Sequence, residues 1–213
     1  MPNYWVRPPT PEDAPALIHI RAAASRVAFV DPLRPHSAAA LEADIAGWLS
    51  ADYLEYFSQF IETEALKPSV FLRLILCDAT IVGYINAYTN AAELCRIQAL
   101  YLKPDYFGTG ASNILMEEFN RWAFGKSGDV YVLEYNTRAI NFYRRHGFLP
   151  LTQGKNRIER ITHLFRPSGP VSDLKQRFSV NPELATEARR ISRHQQISLG
   201  LPDDQSASSA VEK

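Results

Sequence analysis

The sequence is poor in cysteine, with only Cys77 and Cys95 among 213 residues. Each sits inside an apolar run of strand character, so the pattern reads as two reduced, buried thiols and argues against a disulfide framework. An excess of charge of one sign is also lacking: Lys+Arg and Asp+Glu both number 23, for a formal net charge of +0. That balance removes the basic surplus with which an electrostatic nucleic-acid binder holds phosphates. It speaks equally against a polybasic membrane contact. No apolar run reaches the roughly 20 residues that cross a bilayer as a helix. The opening MPNYWVRPP has no basic-then-apolar leader pattern, so the expected compartment is the cytoplasm. His19, His36, His146, His163 and His194 show no metal-ligand spacing, and no metal is expected.

What the chain does have is apolar material: 46% hydrophobic residues against 22% charged, enough for one ordinary domain with an extension. Residues 3–7 read as a short strand stopped by Pro8 and Pro9. A helix follows over residues 10–29, with Thr10 as N-cap, Pro11 in first position, and Glu12 and Asp13 complementing the dipole. Residues 37–50 and 52–66 read as two further helices. The hydrophobic period then changes to two. Strands are expected over 69–77 and 80–89, joined at Asp78-Ala79, and over 93–102, where Leu94, Arg96, Gln98 and Leu100 alternate with Cys95, Ile97 and Ala99. A helix over 111–124, a strand over 129–135, a helix over 136–146 and strands over 148–154 and 157–166 complete the pattern. This order predicts a mixed α/β domain: an antiparallel meander followed by crossover units. The expected organisation is a domain over 1–167, an extension over 168–201 with one helix, and a disordered tail over 202–213. The basic run EARRISRHQQ of that helix can be read as an RNA or ribosomal contact. The plainer reading is a helix packed on the domain or on a second copy, as in a homodimer.

KPDYFGTGASNILM, residues 103–116, places Gly108 and Gly110 between a strand and a helix. Such a junction turns backbone N–H groups and the helix dipole toward a phosphate. No Lys-Ser/Thr follows, so it is not a P-loop, and Asn113 stands where a dinucleotide fingerprint would need its third Gly.

This stretch resembles the acyl-CoA signature of the GNAT superfamily of N-acyltransferases, P-x-x-[RQ]-G-x-G-x-[GA]-x-x-L. Pro104, Phe107, Gly108, Gly110, Ser112 and Leu115 fall on its positions in register. Phe107 replaces the usual Arg or Gln, and Ser112 the usual Gly or Ala. NTRAINFYRRHGF, residues 136–148, resembles the second recurrent element, with Asn136, Ala139, Phe142, Tyr143, Gly147 and Phe148 in place. The two elements stand in the right order and at the right distance. TIVGYINAY and RPPTPEDAPAL add weaker likeness, and the resemblance covers roughly residues 5–165.

The resemblance implies the GNAT fold, a mixed and mostly antiparallel sheet splayed at its central strands and flanked by helices. It implies an acetyl-CoA-dependent N-acetyltransferase acting on a small-molecule or peptide amine by direct attack. A catalytically silent acyl-CoA-binding regulatory module of the same fold is the alternative, resting on Phe107 and Ser112. The strands over 93–102 and 129–135 would splay to admit CoA. The main chain near Leu100 and Leu102 would face the pantetheine and thioester, and the turn of Phe107, Gly108, Thr109, Gly110, Ala111 and Ser112 would cradle the pyrophosphate. Tyr143 would be the acid that protonates the leaving thiolate. Asn136 reads as a helix cap that in the family also contacts the cofactor. Glu93 is the first candidate base and Glu134 the second. His146 is expected to complement the dipole at its helix end. The acceptor would be read by residues 28–66, where Phe29, Trp48, Tyr53, Tyr56, Phe57, Asp44, Asp52 and Glu55 offer an aromatic, acidic rim; the plain alternative is a solvated helix face.

Overall fold

The computed structural model describes residues 2–29, 36–150, 161–166 and 168. The expected helix of the extension, the tail and the domain boundaries beyond residue 168 lie outside these residues. Seven strands form one sheet in the order β1-β2-β3-β4-β5-β7-β6. They are β1 (Tyr4–Arg7), β2 (Val70–Cys77), β3 (Thr80–Thr89), β4 (Cys95–Leu102), β5 (Gly128–Leu133), β6 (Leu149–Pro150) and β7 (Ile161–Arg166). Every neighbouring pair is antiparallel except β4 and β5, which run parallel. The helices are α1 (Ala14–Ala28), α2 (His36–Trp48), α3 (Ala51–Thr63), α4 (Ala111–Trp122) and α5 (Thr137–Arg145). The α/β pattern expected from the sequence is the one observed.

Helices cover both faces, which explains why β2 reads as an almost unbroken apolar run. Leu72, Leu74 and Leu76 face α1 and α3 through Ala14, Leu17, Ile20 and Ile61. Phe71 and Ile75 face α4 through Leu115, Met116 and Phe119. Asp13, expected to complement the dipole, does more: it accepts from both Arg7 terminal nitrogens at 2.6 and 2.8 Å and from the Thr10 backbone N–H at 2.7 Å. The Arg7 fork, helped by that N–H, holds its carboxyl below the usual range against the opposing effect of burial. β1 is thereby tied to the start of α1.

Two details of β4 position the site. Its register against β3 steps from Ala87↔Ile97 to Asn86↔Ala99, so Gln98 is an extra, bulged residue. The bulge reverses the alternation: Cys95 and Ile97 face α4 before it, and Leu100 and Leu102 face α4 after it. The strict alternation expected over 93–102 is therefore corrected, and Ala99 and Tyr101 turn to the α1 face. On its other edge β4 pairs β5 only at Cys95↔Gly128, Arg96↔Asp129 and Ile97↔Val130. Beyond the bulge the two strands part.

Gly83 sets how closely β3 lies against the parted end of β4. A Cβ there would collide with Leu102 Cδ2 and stand 2.6 Å from the Tyr101 carbonyl oxygen. The second contact is backbone and cannot swing aside. A Gly83→Ala variant is expected to lose about 1–3 kcal/mol, the usual range for overpacking. Urea unfolding checks this, and an unchanged midpoint would contradict it.

Candidate active site

The glycine turn follows β4 directly. Gly108 and Gly110 have φ of +77° and +92°, a region that favours glycine, and open space surrounds the place where each would carry a Cβ. Gly110 caps α4 without a side-chain hydrogen bond. Asn113 and Ile114 N–H donate to its carbonyl, which leaves the first-turn N–H groups of Ala111 and Ser112 without intrahelical partners. Thr109 braces the turn: its hydroxyl donates to Tyr106 O at 2.8 Å and accepts from the Tyr4 hydroxyl at 2.8 Å. The donor set is a row of main-chain N–H groups at a helix N-terminus, which suits the phosphates of CoA.

Phe107 carries a partner the sequence did not announce. The Arg138 guanidinium of α5 lies 3.7 Å from its ring centroid. The position occupied by Arg or Gln in the resembled signature thus has a cation after all, supplied from another helix. A cation in a helix's first turn opposes the dipole, and that misfit was the available signal.

Asn136 is the cap of α5, its side-chain oxygen accepting from Ala139 N–H at 3.1 Å. Tyr143 projects from that helix into the core, 6% exposed, edge-on to Phe142 and Phe148. Burial, then the nearby Tyr101, pushes its phenol well above the ordinary value. Tyr101 reaches this point from the α1 face and Tyr143 from α5. The two phenols come within electrostatic range of each other. The unpaired edge of β4 carries the main chain of Leu100 and Leu102 along the same opening.

Glu93 is not brought here. It lies in the turn before β4 with φ +58°, its exposed carboxylate 2.6 Å from Lys126 Nζ. That is the joined end of the strands, roughly 25 Å along β4 from the glycine turn at 3.3 Å per residue. The expectation of Glu93 as base is corrected by this placement: Lys126 holds the carboxylate at the wrong end of the sheet. Glu134 is exposed, in the turn before Tyr135 and Asn136. Tyr135 closes the corner, its hydroxyl donating to Phe29 O at 2.7 Å. His146 also differs from expectation. Burial first, then Arg145 and Arg166, lower its pKa, and it meets Asn113 Oδ1 at 3.2 Å, which links α5 to α4.

At the joined end, the buried pair Arg96 and Asp129 sits side by side in the parallel register, with Nε donating at 2.9 Å. Cys77 and Cys95 are free thiols. Among the described residues no cluster of three or more His, Cys, Asp or Glu could hold a metal, and no helix is long and apolar enough to cross a membrane.

The sequence model of the Acetyltransferase (GNAT) family matches residues 34–148, more than half of the chain. The chain belongs to the GNAT acetyltransferase family. Among solved structures, this GNAT protein is similar to the PaiA N-acetyltransferase from Thermoplasma acidophilum in complex with coenzyme A. The two share 18% identity and a TM-score of 0.63, over 78% of this chain and 99% of that one. An acetyltransferase from Thermus thermophilus is 23% identical, with TM-score 0.54 over 78% and 99%. The ribosomal-protein-S18-alanine N-acetyltransferase from Escherichia coli is 14% identical, with TM-score 0.54 over 79% and 96%. At these identities the likeness concerns the fold. No curated protein matches the sequence.

Proposed function

We propose that this GNAT protein transfers an acetyl group from acetyl-CoA to a primary amine by direct attack in a ternary complex. The observation that carries the reading is the parting of β4 and β5 beyond Ile97↔Val130, beside a glycine turn with unpaired N–H groups and beside Tyr143. Gly108, Thr109, Gly110, Ala111 and Ser112 would offer their main chain to the pyrophosphate, next to Phe107. Leu100 and Leu102 would offer theirs to the pantetheine arm and the thioester oxygen. Asn136 would position the start of α5 against the same cofactor. Holding the two reactants together supplies much of the rate. The amine nitrogen forms its bond to the acetyl carbon, the carbon–sulfur bond breaks, and the proton lost by the nitrogen balances the one gained by the thiolate.

The silent-module alternative loses its support at Phe107, because Arg138 returns a cation to that spot. Replacing Arg138 by Ala is expected to weaken CoA binding about tenfold, the lower end for loss of one charge-assisted hydrogen bond to phosphate. Titration calorimetry with CoA reads the effect, and an unchanged Kd would remove Arg138 from the site.

The reading is tested by incubating the purified protein with acetyl-CoA and a panel of primary amines, followed by mass spectrometry. Stoichiometric N-acetylated amine and free CoA are expected. Retained acetyl-CoA with no acceptor acetylated would contradict the transfer.

A further inference from the structure

We propose that the amine acceptor carries a carboxylate, as a free amino acid does, and that Arg21 with Tyr53 and Ser25 receives it. The inference rests on the N-acetyltransferase reading and names its substrate class. Arg96 is buried and Arg21 half-buried, and the two cations are treated differently. Arg96 has its counter-charge in Asp129. Arg21 makes no ion pair among the described residues. Its guanidinium lies 3.8 Å from the Trp48 ring centroid, and Nη1 donates to the Tyr53 hydroxyl at 2.8 Å. Its Nε is shut from solvent with no hydrogen-bond partner. One turn further along α1, Ser25 is fully buried, and the Tyr101 hydroxyl is the polar group beside it.

Both side chains lie close to Tyr101, on the β4 side of α1. Tyr101 and Tyr84, on the α1 face of β4 and β3, are close enough to Arg21 to feel its charge. Tyr101 is also the phenol beside Ser25, and the residue that reaches Tyr143. Phe29 stands edge-on to Tyr101 at 6.2 Å, and its carbonyl is held by Tyr135 across the parted strands. The cluster therefore lies on the α1 side of the gap, with the glycine turn beyond the end of β4.

A half-buried cation with no ion pair among the described residues is costly, and a planar guanidinium is shaped to take a carboxylate through two parallel N–H donors. Asp44 is within electrostatic range of Arg21 but forms no ion pair with it. Burial raises the Asp44 pKa more than Arg21 lowers it. The rest of the acidic rim expected from the sequence does not reach in, since Asp52, Glu55 and Tyr56 are exposed. Among the described residues, Arg21 thus places a positive charge beside Tyr101 and Tyr84. It attracts an anionic group and repels a second ammonium.

The test titrates the complex with CoA using each standard amino acid and, in parallel, the amine left when its carboxylate is removed. At least one amino acid is expected to bind about 10- to 100-fold more tightly than its amine, the range of a charged hydrogen bond. Arg21→Gln is expected to bring that ratio near one while leaving CoA affinity unchanged. Should Arg21→Gln fail to fold, Tyr53→Phe keeps the volume, loses one hydroxyl and is expected to cut the ratio severalfold. The proposal is overturned if no amino acid outbinds its amine, or if the ratio survives in the folded variants. Carboxylate-selective binding without acetyl transfer would leave this inference standing and sink the transfer reading. Equal acetylation of amino acids and plain amines would do the reverse.

Discussion

Replacing Tyr143 by Phe is expected to lower kcat by about 10²–10⁴-fold, the range for a positioned acid–base group, while the affinity for acetyl-CoA stays as it was. The split follows from where the hydroxyl is. The Tyr143 ring packs in the core against Phe142 and Phe148, and the Phe variant keeps those contacts. Only the hydroxyl is lost. Burial raises the phenol above its ordinary value near 10. A raised value keeps the proton on oxygen throughout the neutral and mildly alkaline range, so Tyr143 is always available to donate. It also makes complete transfer to a thiolate, with an ordinary value near 8.5, unfavourable. In the proposed reaction Tyr143 would therefore stabilise the departing sulfur mainly by hydrogen bonding, with the thiolate's final proton derived from the amine. The pH dependence follows: no loss of kcat from Tyr143 ionisation is expected between about pH 7 and 10, and kcat/KM rises with pH as the amine becomes free base. Steady-state kinetics against pH, with acetyl-CoA binding in parallel, reads both. Unchanged kcat in the Phe variant would remove Tyr143 from the mechanism.

The second large effect lies at the other end of the opening. Asp129→Ala is expected to destabilise the fold by about 3–5 kcal/mol, the cost of leaving a buried charge unpaired. Asp129 is 0% and Arg96 5% exposed, and the carboxylate takes both Nε and a terminal nitrogen of the guanidinium. Burial pulls the Arg96 pKa down, and Asp129 more than reverses it, so the cation persists in the interior. The pair sits on one of only three rungs that join β4 to β5. It clamps the strands where they must stay together so that they can part beyond Gln98. Because the cost comes from the orphaned charge, replacing Arg96 and Asp129 together by Met and Leu should recover much of the loss. Denaturant midpoints at constant m-value measure both variants. A single-variant loss below about 1 kcal/mol would place the pair among weak surface bridges.

Much of this architecture was legible because its signals are local. Two glycines at positive φ, a capping Asn and a Gly-Phe stop are demands of the chain on itself, and they lie within two short stretches of sequence. The observed turn and α5 match them. The bulge at Gln98 was not legible, since an extra residue is defined only by what the neighbouring strand does. Glu93 was misplaced for a related reason: its distance along β4 was readable, but its pairing with Lys126 depends on the turn before β5. Arg138 and Arg21 carried faint signals. One opposes a helix dipole and the other sits on the apolar side of α1, and their partners Phe107, Trp48 and Tyr53 come from other elements. His146 looked like a dipole-complementing cation, but it packs against Phe142 and meets Asn113, and burial lowers its pKa.

The gap between β4 and β5, with the glycine turn at its end, is the proposed seat of acetyl-CoA. Titration calorimetry of the purified protein with acetyl-CoA tests it most directly. Saturable one-to-one binding, weakened in Arg138→Ala and unaltered in Tyr143→Phe, is the predicted result. No detectable binding at millimolar acetyl-CoA would contradict the claim.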